Sequence, residues 1–217
     1  MSAELQQAQR PIAVRPTERH TSLCLFLSGK HVELHLRGGI AWPVAPADGG
    51  RAIGFAVLVG LDVRTGISYV LEECEFYEVD HVIDRTTGLI KTPGASVWFN
   101  MLWQAYGART LYYHQDEGLH RRYHTLVCRS AMIEPKPRIV CVPFSDGESY
   151  PRTALWSMLE AGQLVWSAGS LSYPRLAQWR ASPGVSMESV PAVWALGVLA
   201  ASLVMWPWRD RRREAED

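Results

Sequence analysis

Hydrophobic and polar residues alternate with a period of two near the start of the chain, a pattern typical of β-strands. Two such runs flank a turn at Gly29, and the second run alternates Leu34 and Leu36 with His35 and Arg37. A side chain points to the opposite face at each step along a strand, so this spacing predicts a hairpin with one buried face and one wet face.

Two further strands and a helix are predicted after this hairpin. The continuous apolar run over 52–63 indicates a central strand, and the β-branched and aromatic residues of 67–83 indicate its antiparallel neighbour. Apolar residues then recur at helical spacing within 95–107, and a glycine ends that run. The residues of this predicted helical stripe are Trp98, Met101, Leu102 and Ala105.

The second half of the chain is predicted to continue with a hairpin and short helices. Strand-like residues at 110–115 and 119–128 flank an Asp-Glu-Gly turn, which predicts a second hairpin. A short strand is expected near 137–144, and helices are expected near 151–161 and 176–181.

These elements predict an α+β fold with a mostly antiparallel sheet built from hairpins, two or three packed helices, and an apolar C-terminal helix. We expect a flexible N-terminal arm over 1–20 and a globular domain over 21–181. A linker over 182–189, an apolar helix over 190–208 and a charged tail over 209–217 follow.

The segment from Ser189 to Trp208 contains no charged residue and, as a helix, would span the hydrocarbon core of a bilayer. Tryptophans near its end and arginines after it resemble a membrane-interface belt. A domain of this size is not expected to enclose such a helix, so we expect it to enter a membrane or dock on another protein. The expected anchor residues are Trp194, Trp206, Trp208, Arg209 and Arg211.

Composition narrows the class of protein but names no reaction. The 22 basic and 22 acidic residues balance, so no overall field draws the protein to nucleic acid, although the basic stretch 121–129 leaves that partner open. No phosphate-binding glycine motif occurs, which argues against a nucleotide cofactor. The N-terminus lacks an apolar signal, which predicts a cytoplasmic rather than secreted domain. Four widely spaced cysteines are expected to be buried free thiols: Cys24, Cys74, Cys128 and Cys141.

The predicted second hairpin places several histidines close together. With the turn at 116–118, His114 would lie opposite His120, and His124 would share the face of His120. Imidazoles together with the carboxylate of Asp116 are ligands for a divalent metal such as zinc. A metal site at His114, Asp116, His120 and His124 is therefore one prediction, and an ordinary solvated hairpin face is the alternative.

A second group of residues resembles part of a known catalytic motif. Asp80-His81 at a strand end, followed by a glycine-containing loop and a helix that carries Asn100, resembles the HNH nucleases over about thirty residues. That resemblance implies that His81 activates a water against a phosphodiester while a nearby metal neutralises charge. The last ligand position of the family falls on Arg109, which departs from the pattern.

Two functions are therefore expected from the sequence. The first is a non-enzymatic accessory or interaction protein, a cytoplasmic domain held at a membrane or in a larger assembly through residues 190–208. The alternative is a metal-dependent hydrolase or HNH-like nuclease that uses His81 and Asn100, or the histidines of the second hairpin.

Overall fold

A computed structural model describes most of the chain. The described residues are 13–16, 21–27, 30–44, 51–108, 110–114, 117–143 and 147–205. Within these ranges the chain forms ten strands and five helices. The strands are β1 (Ala13–Pro16), β2 (Thr21–Leu27), β3 (Lys30–Val44), β4 (Ile53–Asp62), β5 (Ile67–Phe76), β6 (Val82–Ile83), β7 (Ile90–Thr92), β8 (Thr110–Tyr113), β9 (Arg138–Cys141) and β10 (Leu164–Val165). The helices are α1 (Ala95–Tyr106), α2 (Glu117–Arg129), α3 (Ser149–Glu160), α4 (Ser172–Arg180) and α5 (Pro191–Met205).

The main sheet has eight strands and is built around β3. The strands β1 to β5 pair antiparallel in chain order, which confirms the predicted meander and the hairpin between β2 and β3. Strand β8 pairs parallel with the middle of β3, β9 pairs parallel with β8, and β10 adds a short parallel pairing to β5. The α+β class and the mostly antiparallel sheet are therefore as predicted.

Helices cover both faces of this sheet. Helices α1 and α2 pack on one face, where their apolar residues join Leu34, Ile40 and Leu58. Helices α3, α4 and α5 pack on the other face against Phe55, Val57 and their neighbours. The sheet is therefore the middle layer of three, and its central strands have two buried faces.

The second face of β3 is buried, which differs from the prediction of one wet face. His35 and Arg37 are both buried, although their alternation with leucines placed them in solvent. Arg37 lies over the ring of Tyr112 and donates from Nη1 to the carbonyl oxygen of Ser202 at 2.7 Å. The strand thus carries a buried cation that bonds the C-terminal end of α5, where cations are electrostatically favoured.

The apolar C-terminal helix is enclosed by its own domain. Every residue from Ala192 to Ser202 is buried, and α5 packs on β3, β4, α3 and α4. The premise that a domain of this size cannot shelter the segment is therefore wrong for these residues. A three-layer arrangement supplies the missing cover, because α3 and α4 close over the side of α5 that faces away from the sheet.

Within the residues described, no helix combines the length and the apolar character that crossing a bilayer requires. Trp194, one of the expected anchor residues, is buried and donates from Nε1 to the carbonyl oxygen of His114 at 2.8 Å. The other four expected anchor residues lie outside the described residues: Trp206, Trp208, Arg209 and Arg211.

The predicted second hairpin is wrong, because residues 117–129 form the helix α2. Leu119, Tyr123 and Val127 recur every four residues and pack together on the sheet. Tyr123 stacks on Trp42 with ring centroids 5.0 Å apart and donates to the carbonyl oxygen of Pro43 at 3.0 Å. The β-type composition of this stretch concealed its helical period.

Two segments expected to be loose contain ordered structure. Ala13–Pro16, inside the predicted N-terminal arm, pairs antiparallel with β2 as the strand β1. Met187, inside the predicted linker, is fully buried, and its backbone N–H donates to Glu148 at 2.6 Å. Residues 1–12 and 17–20 of the predicted arm lie outside the described residues.

A substitution at Gly39 tests the close packing of α5 on the sheet. A Cβ at Gly39 would lie 2.6 Å from the carbonyl oxygen of Ala195, a backbone atom that cannot rotate away. We expect Gly39→Ala to lower the free energy of unfolding by about 1–3 kcal/mol in urea denaturation. Gly38→Ala is the matched control and should cost less, because its Cβ would meet the flexible end of Leu111 on the other face. Equal costs would contradict this packing.

Candidate functional site

Asp80 and His81 lie where the chain crosses the start of α1. A Cβ at Gly94 would lie 2.4 Å from the carbonyl carbon of Asp80, so the two backbones nearly touch there. Asp80 accepts a hydrogen bond from the hydroxyl of Ser130, and Nδ1 of His81 lies 3.0 Å from Oγ of Ser96. Asp80 therefore joins the segment after β5 to the loop after α2, and His81 joins it to α1.

Asn100 anchors the loop between α2 and β9. Its Nδ2 donates to the carbonyl oxygen of Met132 at 2.6 Å, and its Oδ1 accepts from the backbone N–H of Glu134 at 3.3 Å. Nζ of Lys136 donates to the carbonyl oxygen of Ile133 at 2.8 Å in the same loop. The amide of Asn100 thus binds one backbone carbonyl and one backbone N–H of this loop.

The structure brings Asp80, His81 and Asn100 to one region, but each engages in contacts that hold elements together. Asp80 and Asn100 both bind the loop after α2, and His81 contacts the helix that carries Asn100. Among the described residues no three His, Cys, Asp or Glu side chains are grouped to hold a metal ion. The HNH-like site therefore stays a prediction that these contacts do not support.

The predicted histidine cluster is divided by the sheet. His114 follows β8, its Nδ1–H donates to the carbonyl oxygen of Val142 at 2.6 Å, and its ring packs edge-on against Trp194. His124 lies on α2, which packs on the opposite face. Asp116 and the side chain of His120 lie outside the described residues. The hairpin that was to align His114 with the other two histidines does not form.

Three described cysteines are free thiols, but they are not all buried as predicted. Cys74 is half-buried, while Cys128 and Cys141 are exposed. Cys128 lies one turn after His124 on α2, with Sγ 3.8 Å from Nδ1 of the imidazole. The side chain of Cys24 lies outside the described residues.

The segment 82–92 forms a small hairpin that belongs to neither core, and we call it the hairpin arm. Its two strands, β6 and β7, pair only with each other. Four large aliphatic side chains on it are 44–70% exposed, although residues of this type are usually buried. They are Val82, Ile83, Leu89 and Ile90.

The turn of the hairpin arm is held by Asp84. Its Oδ1 accepts from the backbone N–H groups of Thr86 at 2.8 Å and Thr87 at 3.1 Å. Its backbone N–H donates to the carbonyl oxygen of Leu89 at 2.8 Å, and Gly88 takes the positive φ that closes the turn. These backbone bonds lower the pKa of the Asp84 carboxyl below its ordinary value. The aliphatic side chains are thus presented on a preorganised turn.

Two basic side chains are exposed on the hairpin arm. Arg85 and Lys91 are exposed, while the carboxylate of Asp84 is engaged by the turn itself. The tip, formed by the Asp84 to Gly88 turn, is polar. Val82, Ile83 and Ile90 lie on the strands behind it, and Leu89 lies between the turn and β7. The arm therefore exposes four large aliphatic side chains and two basic side chains within one short segment.

Sequence reasoning missed this surface because its strands are very short. The composition of residues 67–83 predicts one long strand, whereas β5 ends at Phe76. The signal was present in Val-Ile-Asp-Arg-Thr-Thr-Gly-Leu-Ile, which places two aliphatic pairs around an Asp and a Gly of turn type.

A cavity of about 450 Å³ lies beside β10 and the start of α4. Trp166 and Tyr173 meet edge-on at its wall, with ring centroids 5.4 Å apart. Its volume suits a small ligand. The described residues that line it carry no carboxylate, imidazole, thiol or amine, so they supply no general base of those types.

Comparisons with known proteins add no relative. No protein-family model matches the sequence, and no curated protein is significantly similar to it. The functional inference therefore rests on the geometry.

The structural role of Asn100 can be measured directly. Asn100→Ala removes two hydrogen bonds from the loop after α2, and we expect it to lower the free energy of unfolding by about 1–2 kcal/mol in urea. Gln104→Ala, an exposed position one turn later on α1, is the matched control and should change stability little. If both variants unfold at the same urea concentration, the loop does not depend on Asn100.

Substitution of Asp84 and a fall in pH should both destabilise the turn of the hairpin arm. Asp84→Ala removes the acceptor for two backbone N–H groups, so amide exchange at Thr86 and Thr87 should accelerate while global stability is unchanged. Because the folded pKa is lowered, the stabilising effect is present at neutral pH and is lost as pH falls through that lowered pKa. Exchange rates identical in wild type and variant would contradict this role.

Proposed function

We propose that this protein is a non-enzymatic interaction module that binds a protein partner through its hairpin arm. The observation that carries the proposal is the exposure of Val82, Ile83, Leu89 and Ile90 on one ordered hairpin outside both cores. A group of large aliphatic side chains in solvent is costly, and such groups commonly mark binding surfaces.

The preorganised turn is a second argument that the exposed aliphatic residues bind a partner. The contacts of Asp84 fix the turn before a partner arrives, so little conformational entropy is lost on association. Arg85 and Lys91 are exposed on the same hairpin, which favours a partner whose apolar groove has acidic residues at its rim.

A protein groove suits the arm better than a lipid surface does. A hairpin that inserts into a bilayer would carry its apolar residues at the tip, whereas this tip consists of Asp84, Arg85, Thr86, Thr87 and Gly88. Val82, Ile83 and Ile90 lie on the strands behind the tip, and Leu89 directly follows it, so these side chains would contact the walls of a groove.

In this proposal the hairpin arm, and not the C-terminal helix, binds the partner. Side chains of α5 from Ala192 to Ser202 are already buried within the domain, so they are not available to a membrane or partner. A cytoplasmic location stays part of this proposal, and three free thiols are compatible with it. The alternative of a metal-dependent hydrolase or nuclease stays a prediction, and no contact described above favours it.

Site-specific crosslinking followed by quantitative binding tests the proposal. A photo-reactive residue at Leu89 should crosslink one partner in the cells that naturally contain this protein. The purified partner should then bind wild-type protein, and Leu89→Ser should weaken binding about tenfold or more, as expected when an apolar anchor is lost.

Leu171→Ser is the matched control, because Leu171 is also an exposed leucine, 42% accessible, outside the arm. It should bind the partner as tightly as wild type. Equal binding by Leu89→Ser and wild type would overturn the proposal, as would arm-dependent binding to vesicles of anionic lipid in the absence of any protein partner.

A further inference from the structure

We propose that the cavity beside β10 and α4 binds an uncharged small molecule with a flat aromatic ring, held against the rings of Trp166 and Tyr173. This inference goes beyond the interaction role of the hairpin arm and does not depend on it. It rests on the size of the cavity, on the two rings at its wall, on the hydrogen bonds that hold its loop, and on the uncharged character of the described residues that line it.

The cavity has the size and the access of a binding site. Its volume of about 450 Å³ lies within the range of pockets that hold small ligands. The lining residues Ala168, Gly169 and Tyr173 are exposed, so a ligand can reach the cavity from solvent. Tyr173 is 57% exposed, which leaves much of its apolar ring in water. A ring bound against Tyr173 would remove this surface from water.

The two aromatic side chains form a corner at the wall of the cavity. The ring centroids of Trp166 and Tyr173 are 5.4 Å apart, and the ring planes meet at 61°. The Nε1–H of Trp166 donates to Oγ of Ser172 at 3.0 Å, so the indole is held in place by a residue of α4. A flat ring that stacks on one of these side chains meets the other edge-on, and aromatic rings favour both arrangements.

The loop around the cavity is held by hydrogen bonds. The backbone N–H of Ser170 donates to the carbonyl oxygen of Ser167 at 3.3 Å, and Gly169 has the positive φ of 85° that this turn requires. The carboxylate of Glu73 on β5 accepts from the backbone N–H of Ser172 at 3.1 Å and from that of the preceding residue at 2.7 Å. The shape of the cavity is therefore set before a ligand arrives, which lowers the entropy cost of binding.

The charges around the cavity favour an uncharged ligand. The described residues that line it carry no acidic or basic side chain. The backbone N–H groups at the start of α4, a position that attracts anions, are bound to the carboxylate of Glu73. Arg175, two residues after Tyr173, is paired with the carboxylate of Glu75. A charged ligand would thus lose hydration without gaining an ion-pair partner in the lining.

The hydroxyl groups at the cavity favour a ring that carries a hydrogen-bonding substituent. Ser167 and Tyr173 both line the cavity, and their hydroxyl groups form no hydrogen bond with the described residues. An extended peptide is a poorer fit than a small molecule. Strand β10 has only two residues, so it offers too short an edge for a peptide to pair with as an added strand.

Ligand-observed saturation-transfer NMR on the full-length protein tests the proposal with three probes that share one ring system. Naphthylmethanol is uncharged, naphthoate is an anion and naphthylmethylamine is a cation at neutral pH. We expect naphthylmethanol to bind with a Kd of roughly 1 mM or below, as its small size allows. Each charged probe should bind about fivefold more weakly or worse, because its desolvation is not offset in the cavity.

Tyr173→Ala should weaken the binding of naphthylmethanol about fivefold or more, because the bound ring loses a stacking partner. Tyr173→Phe keeps the ring and should retain most of the affinity. Leu171→Ala is the matched control, since Leu171 is an exposed apolar residue beside the cavity that does not line it, and it should bind like wild type.

Tyr173 is exposed in the first turn of α4, so circular dichroism should show that its variants are folded. The proposal is overturned if naphthylmethanol does not bind, if either charged probe binds as tightly as naphthylmethanol, or if Tyr173→Ala binds naphthylmethanol as tightly as wild type does.

Discussion

The close contact between an apolar helix and the middle of the sheet is the constraint on which this fold depends. Helix α5 approaches β3 so closely that only glycine fits at position 39, and Arg37 bonds the carbonyl of Ser202 near the end of the helix. Helices α3 and α4 then cover the outer side of α5. Because one helix fills the core on that face, the strands beneath it have both faces buried.

The local sequence pattern predicted most of the strands and helices but not which of their faces are buried. The antiparallel strands β2 to β5 and the helices α1, α3, α4 and α5 follow from short-range spacing, and the structure confirms them, whereas β1 lies in the predicted flexible arm. The burial of His35 and Arg37 depends on helices far along the chain, so alternation within β3 could not reveal it. Helix α2 was missed because Tyr123 and Val127 are of β-type, while their spacing of four residues is helical.

For the candidate site residues too, the sequence predicted which residues matter but not which contacts they make. Asp80, His81 and Asn100 bind α1 or the loop after α2, and their partners are backbone groups and serines of these elements. The grouping of His114 with His124 required a hairpin, and the sheet separates them instead. Sequence identified residues able to do chemistry, whereas the long-range contacts that occupy them belong to the tertiary fold.

The most direct test of this account is hydrogen exchange followed by mass spectrometry on the full-length protein. If the C-terminal helix is part of the core, peptides from α5 should exchange as slowly as those from β4, and only through global unfolding, while the hairpin arm exchanges faster. Exchange of α5 within seconds, independent of global stability, would contradict the account, because the helix would then lie outside the core it is proposed to complete.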